Sequence, residues 1–542
     1  MKKAIWAVTL LVLAGLTAMP TYAAELRVTG FFDNILPHVD RNLSNTDQDF
    51  TNNHDVNFNG RERSRFFFNF IASDDLRGIF ALEIDQSYGA PSRNYVGSRC
   101  VPDQANAVTI SGQRVLLQNF DACGFRNQID NNSLELKNLY VDFRVPQLGI
   151  GNRWQIGGIP ADVTPLHPHL IFTMDSGGGN VKFDFSDQVS LLLHYIQLEE
   201  DLDVNKNNTL INSTITRRGE DYLTGAALQL KPIPGLDLHL IGLYGHLHAP
   251  FGMDIGGTGG SSAWTGLPSG TTNIATESRY YLGFDSRYRL GDLSIEPTFI
   301  YLLGTRKFTS ASAARTGFSD TDIRAFETQL AFQYTRGPWY LAAKGAYTSG
   351  QKAEDDINNQ GFAGTKRSDV KIFRQMSVDG FHRFGEYLEI LGRQEADGVG
   401  TTISSIGTPG EAGTWDRYGL IVGVVKAEYQ WTTSLVLETA AGTLWTAQKT
   451  GCEAVLRTGP NGACATTGAT IQQTGQTFNP FNFTGNSRHL GEEVDVGFRY
   501  TILPGLVWQQ RFGWAFLGNA FNQNNRKAQD VWEFINRVLY TF

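Results

Sequence analysis

In the segment from Arg61 to Ala72, side chains alternate by chemistry: Arg61, Arg63, Arg65 and Asn69 fall on one side of an extended chain, Phe66, Phe68, Phe70 and Ala72 on the other. Arginines packed side by side in a dry soluble core would cost far too much. Facing water inside a closed sheet whose other face meets lipid, they cost little. The pattern recurs, with Phe80, Leu82 and Ile84 against Glu83 and Asp85, and Tyr280, Leu282, Phe284 and Tyr288 against Arg279, Asp285, Arg287 and Arg289. Near the end Val494, Val496, Phe498 and Tyr500 oppose Glu493, Asp495 and Arg499. The expected fold class is all-β, a closed antiparallel transmembrane barrel.

The two ends agree with that reading. Lys2 and Lys3 precede an apolar run, Ala4 to Met19, and then Thr21-Tyr22-Ala23, which predicts a signal peptide over 1–23 cut after Ala23. The run is short for a spanning helix. At the other end Phe534, Val538, Tyr540 and Phe542 alternate, which resembles the last strand by which outer-membrane barrels are recognised by barrel-assembly machinery, the expected partner of Phe542. One barrel over 24–542 is therefore expected in a Gram-negative-type outer membrane, in contact with its lipid and lipopolysaccharide. A homotrimer is the expected assembly, a monomer the alternative. With a net charge of -8 and no basic tract, nothing suggests a nucleic-acid partner. Cys100, Cys123, Cys452 and Cys464 form two close pairs; by proximity they predict the disulfides Cys100–Cys123 and Cys452–Cys464 in an oxidising compartment.

Short turn signals recur at Ser73-Asp74-Asp75, 146–149, Ser186-Asp187-Gln188, 231–235, Gly291-Asp292, 335–338, 430–433 and Leu503-Pro504-Gly505. Longer polar segments occupy the alternate gaps: 34–56, 89–132, 158–179, 199–219, 247–275, 303–321, 350–412, 449–488 and 518–529. Eight turns and nine loops predict eighteen strands, with both ends on the short-turn, periplasmic side. Sixteen is the alternative, because 189–198 and 222–230 alternate poorly.

The loop 158–179 holds Asp162, His167, His169 and Asp175 among prolines and a Gly177-Gly178-Gly179 exit. By position it corresponds to the third external loop of general porins, which folds inward. The expectation is a constriction where these residues oppose Arg61, Arg63, Arg65 and Arg153 across a narrow lumen, with a solvated external loop as the plain alternative. Wall charges Glu83, Asp85, Asp285, Arg287 and Arg289 complete the expected selectivity set. No resident metal or cofactor is expected: His167-x-His169 lacks a third ligand of fixed spacing. Asp201, Asp203, Asn205 and Asn207 have calcium-like spacing but lack the turn glycine and the closing glutamate, so a plain polar loop is the stronger reading beside a surface calcium site.

The long loop 350–412 follows Tyr347-Thr348-Ser349-Gly350 and carries Glu354-Asp355-Asp356, then a run through Gly380, His382 and Gly385. Together with the arginine strand at 61–65, these regions resemble the alginate-export family. That resemblance implies an eighteen-stranded outer-membrane channel for an acidic polysaccharide. Here the inferred lumen mixes signs, Glu83, Asp85, Asp142, Asp184, Glu277, Asp285, Glu493 and Asp495 against Arg61, Arg63, Arg65, Arg153, Lys182, Arg287, Arg289 and Arg499. The expected function is thus a porin for small hydrophilic or charged solutes, with polysaccharide export as the alternative. A barrel sheathing an electron-transfer partner and a barrel enzyme are further alternatives, although GxSxG, HExxH and phosphate-loop motifs are absent.

Overall fold

The computed structural model describes residues 25–41, 56–88, 107–110, 113–116, 134–164, 166–167, 170–199, 221–247, 274–308, 319–350, 369–373, 376, 387–392, 419–449, 487–522 and 527–542. Eighteen of the strands form one sheet. In chain order they are β1 (Glu25–Arg41), β2 (Val56–Ser73), β3 (Leu76–Tyr88), β4 (Leu134–Phe143), β5 (Gly151–Asp162) and β6 (Thr173–Ser186). Next come β7 (Val189–Glu199), β8 (Asp221–Leu230), β9 (Leu236–Leu247), β10 (Ile274–Leu290), β11 (Leu293–Phe308) and β12 (Asp320–Arg336). The set ends with β13 (Trp339–Thr348), β14 (Leu420–Gln430), β15 (Leu435–Thr446), β16 (His489–Leu503), β17 (Leu506–Leu517) and β18 (Val531–Thr541). A separate two-strand hairpin, 107–110 with 113–116, lies between β3 and β4.

Each strand pairs antiparallel with its neighbours in sequence, and β1 also pairs with β18, so the sheet is a closed barrel and the count is eighteen. Gly30 and Phe542 exchange both backbone hydrogen bonds, each 3.1 Å, at the seam. Closure removes the bare edges that make open sheets aggregate. At the tight turns Gly291, Gly337 and Gly505 take φ of 59°, 57° and 81°, a conformation glycine adopts without penalty.

One face of the wall is apolar and exposed, with Leu139, Val141, Leu282, Val494 and Val496 among its residues. Aromatic groups sit on it near the short turns: Trp339 lies 4.6 Å from Tyr429, and Phe498 lies 5.0 Å from Trp508. An apolar band with an aromatic girdle is the lipid face of a barrel. The opposite face carries buried Glu83, Asp142, Asp285, Glu296, Glu438 and Glu493. It is the inside.

Several strands run further than the sequence predicts. β1 continues to Arg41, so the first connection is 42–55 rather than 34–56; β11 reaches Phe308 and β12 starts at Asp320, shortening 303–321. Backbone ladder bonds do not depend on side-chain polarity, so pairing continues through residues that break the alternation. The largest correction is at 158–179. Its flanks are strand, only 163–172 is connection, and Gly177-Gly178-Gly179 lies inside β6. The poorly alternating segments are strands β7 and β8. Their inner faces carry Ile196, Leu223 and Ala227, buried in an apolar cluster with Val163 and Leu170 to Phe172, beside buried Ser190, His194 and Asp221, so apolar residues occur on both faces and the alternation is weak.

Candidate functional site: the inner wall and two inward segments

β5 and β6 pair along their whole length, from Gly151–Asp184 to Asp162–Thr173. β4 follows β5 only to Gly158, and β7 follows β6 only from Gly177. Residues 159–162 and 173–176 therefore pair with each other alone: the tip of this hairpin has left the wall. The departure happens at facing glycines. Gly157 (φ 133°) stands opposite Gly178 (φ 153°), and a Cβ on Gly157 would lie 2.4 Å from the Leu139 carbonyl oxygen. No other residue type fits there without strain. Pro160, unwelcome in a central strand, sits where the ribbon has no further partner strand.

The tip folds onto the inside of the barrel. Ile159, Ala161, Val163, Leu170, Ile171 and Phe172 are buried against inner-face residues of β7 to β12, Leu223, Ile241, Tyr281 and Ile300 among them. His167 reaches β10 and β11, on the order of 20 Å of arc away at ~4.8 Å per strand. Its Nδ1 bonds the Asp285 carboxylate, and its Nε2 lies 2.9 Å from Glu296 Oε2. The backbone amides of Leu166 and His167 donate to Asp285 Oδ2 at 3.2 and 3.1 Å. Burial works against the imidazolium, but the bonds and charges of the two carboxylates outweigh it and raise the His167 pKa to about 8.

A second inward segment comes from the β13–β14 connection. Val370 and Ile323 form a bridge on β12, and the Met376 amide donates to the Ile171 carbonyl at 2.8 Å, joining the two segments. Further along, Leu388, Ile390 and Leu391 pack on the inner faces of β13 to β18. Glu493 accepts from the amides of Ile390 (2.7 Å) and Leu391 (2.5 Å), and Asp495 accepts from Glu389 (3.2 Å). Arg511 bonds Glu389 and, at 2.6 Å, Glu438.

The remaining wall, β2 to β5, is charged. Glu83 receives Arg65, with Lys137 at 3.5 Å and Arg63 at 3.9 Å. Asp142 receives Arg153, with Arg77 at 2.6 Å. Lys137 also bonds Asp175 at 2.6 Å, tying the hairpin tip to β4. The carboxylates are the deeper groups: Glu83 and Asp142 are 5% and 0% exposed, against 42% for Arg77 and 29% for Arg153. Guanidinium tips therefore meet the lumen, held from behind by buried carboxylates.

The structure thus gathers Arg63, Arg65, Glu83, Arg153 and Asp175 on one wall, and His167, Asp285 and Arg287 on another, where Arg287 bonds Glu296. Asp162 stays on the tip, accepting from the Thr164 amide at 2.9 Å. His167 faces carboxylates rather than the arginines it is expected to oppose. Arg289 is exposed at the short-turn end of β10. Arg61 and Asp85 are placed by backbone register, opposite Ser87 and Arg63. His169, the calcium-like Asp201, Asp203, Asn205 and Asn207, and Cys100, Cys123, Cys452 and Cys464 lie outside the described residues. Sequence reasoning missed Arg77, Lys137, Glu296 and Glu389. Arg77 and Glu296 share the inward parity of their strands and were legible; Lys137 sits in a register shift that no periodicity shows.

No protein-family model matches the chain, and no curated protein sequence does. Among solved structures it is similar to Pseudomonas aeruginosa OccK8 (OprE), at 10% identity and TM-score 0.45, over 96% of this chain and 98% of that one. Acinetobacter baumannii OccAB4 matches at 9% and 0.45 over 97% and 100%, and the outer membrane protein OprD from P. aeruginosa at 8% and 0.43 over 97% and 95%. The resemblance to alginate exporters gains nothing from these comparisons.

Proposed function

We propose that this chain is an outer-membrane channel for passive diffusion of small hydrophilic solutes, anions being favoured. The observation that carries this reading is the inner wall of β2 to β5, where exposed guanidinium and ammonium groups stand over buried carboxylates behind an apolar, lipid-facing exterior. Such a wall offers successive weak sites for a carboxylate or phosphate while its own charges stay fixed in place. A polysaccharide or a sheathed protein partner would need a wide lumen. Two inward segments occupy part of this one, which supports small solutes over polymers and over the sheath reading.

Single-channel recording in planar bilayers with a KCl gradient tests it. Steps of constant size with a reversal potential on the anion-selective side are expected. Arg63→Ala together with Arg65→Ala should move that potential toward cations. A folded protein that gives no steps, or a double variant with unchanged reversal potential, would show that the path does not run along this wall.

A further inference from the structure

Where the second inward segment meets the wall, Tyr387 closes a small cavity against β14 to β17, lined also by Lys426, Glu438, Ala440, Asp495 and Arg511. It has room for one water-sized group. Asp495 is left incomplete there. The residue is 4% exposed, its Oδ2 accepts from the Glu389 amide, and its Oδ1 is buried without a hydrogen-bond partner. Gly513, opposite Asp495 in the ladder, leaves that oxygen uncrowded: a Cβ there would lie 2.5 Å from Oδ1 and 3.4 Å from Glu493 Oε1. We propose that this cavity binds a single monovalent cation the size of a water molecule, such as potassium or ammonium, on Asp495 Oδ1, and that the ion fastens the inward segment to the wall. The site goes beyond the channel reading and does not depend on it.

The local charge calls for a cation. Among the described residues, the carboxylates gathered here are Glu389, Glu428, Glu438, Glu493, Asp495 and Glu533, against Lys426, Arg499 and Arg511. All the carboxylates but Glu428 are buried. Such an excess, away from water, is costly until positive charge enters. The resident cations are already engaged: Lys426 bonds Glu428 at 2.9 Å, Arg499 bonds the same group at 2.5 Å, and Arg511 spans Glu389 and Glu438. Arg537, the next cation along the wall, is held by Asp33. A water molecule would fill the space yet leave the excess charge standing. A divalent ion would ask for roughly six oxygens, and among the described residues no three acidic, histidine or cysteine groups are placed to hold one. A single positive charge answers both limits. Because Glu493 and Asp495 also accept the amides of residues 389 to 391, an ion that balances them steadies the segment.

Crystals of the wild type soaked in thallium(I), a heavy stand-in for potassium, should show an anomalous peak against Asp495 Oδ1. In detergent the wild type should unfold a few degrees higher in potassium chloride than in N-methylglucamine chloride of equal ionic strength. An ion bound only by the folded state stabilises it, and the organic cation is too large for the cavity. Asp495→Asn takes away the charge and Gly513→Ala takes away the room, so each should lose both the peak and the potassium effect. No peak at this position in the wild type overturns the site: the space then holds water, or Asp495 and Glu493 share a proton. A peak that stays at full height in Asp495→Asn overturns it as well. Should neither variant fold, or should the two measurements disagree, the wild-type peak decides.

Discussion

Glu83 shows how a single side chain sets the character of the inner wall. It is buried under three cations that are each at least partly exposed, so its charge fixes them without reaching the lumen. Glu83→Gln should leave those cations partly unpaired, yet they can turn to water. The expected cost is therefore on the order of 1–3 kcal/mol rather than the larger penalty of a fully buried break, measured as a shift in heat-induced unfolding. The same variant should deepen anion selectivity, and an unchanged reversal potential would place the conducting path elsewhere. At this scale the sequence was legible by parity, which put Arg63, Arg65 and Glu83 on one face. Contacts were not legible, because Asp285 meets His167 across 118 residues of chain and no local pattern encodes that pairing.

At the scale of elements, the β5–β6 hairpin is the departure from regular barrel construction. Gly157→Val would place a Cβ 2.4 Å from a backbone oxygen in a conformation closed to branched side chains. The expected cost is about 1–3 kcal/mol, with the tip driven out of position, read as lowered thermal stability together with larger conductance. Normal stability and conductance would show that the bend is not built on this residue. Strand existence was readable wherever one face meets lipid and the other water, as in β2, β3, β10 and β16. It blurred in β7 and β8, where the inward tip covers part of the inner face with apolar packing and weakens the alternation. The second inward segment was hidden for a related reason. Leu388, Ile390 and Leu391 are an apolar island in a polar stretch, and what draws them inside are carboxylates on β16 about a hundred residues further on.

For the molecule as a whole, the apolar exterior fixes where the protein can live. Leu139, 55% exposed on that surface, tests it: Leu139→Arg should cost roughly 2–4 kcal/mol of insertion into phospholipid vesicles if the residue lies near the bilayer midplane. Insertion equal to wild type would mean that this surface does not meet lipid. The closed sheet has one more consequence, through the pairing of β1 with β18. Arg537 bonds Asp33 at 2.7 Å across 504 residues, so the first and last strands are neighbours on the same footing as any other two. Mechanically the barrel has no privileged beginning. Circular permutants that join Phe542 to Glu25 by a short linker and start instead at the Gly291-Asp292 turn should regain the same ring of ladders, with only their order of assembly changed.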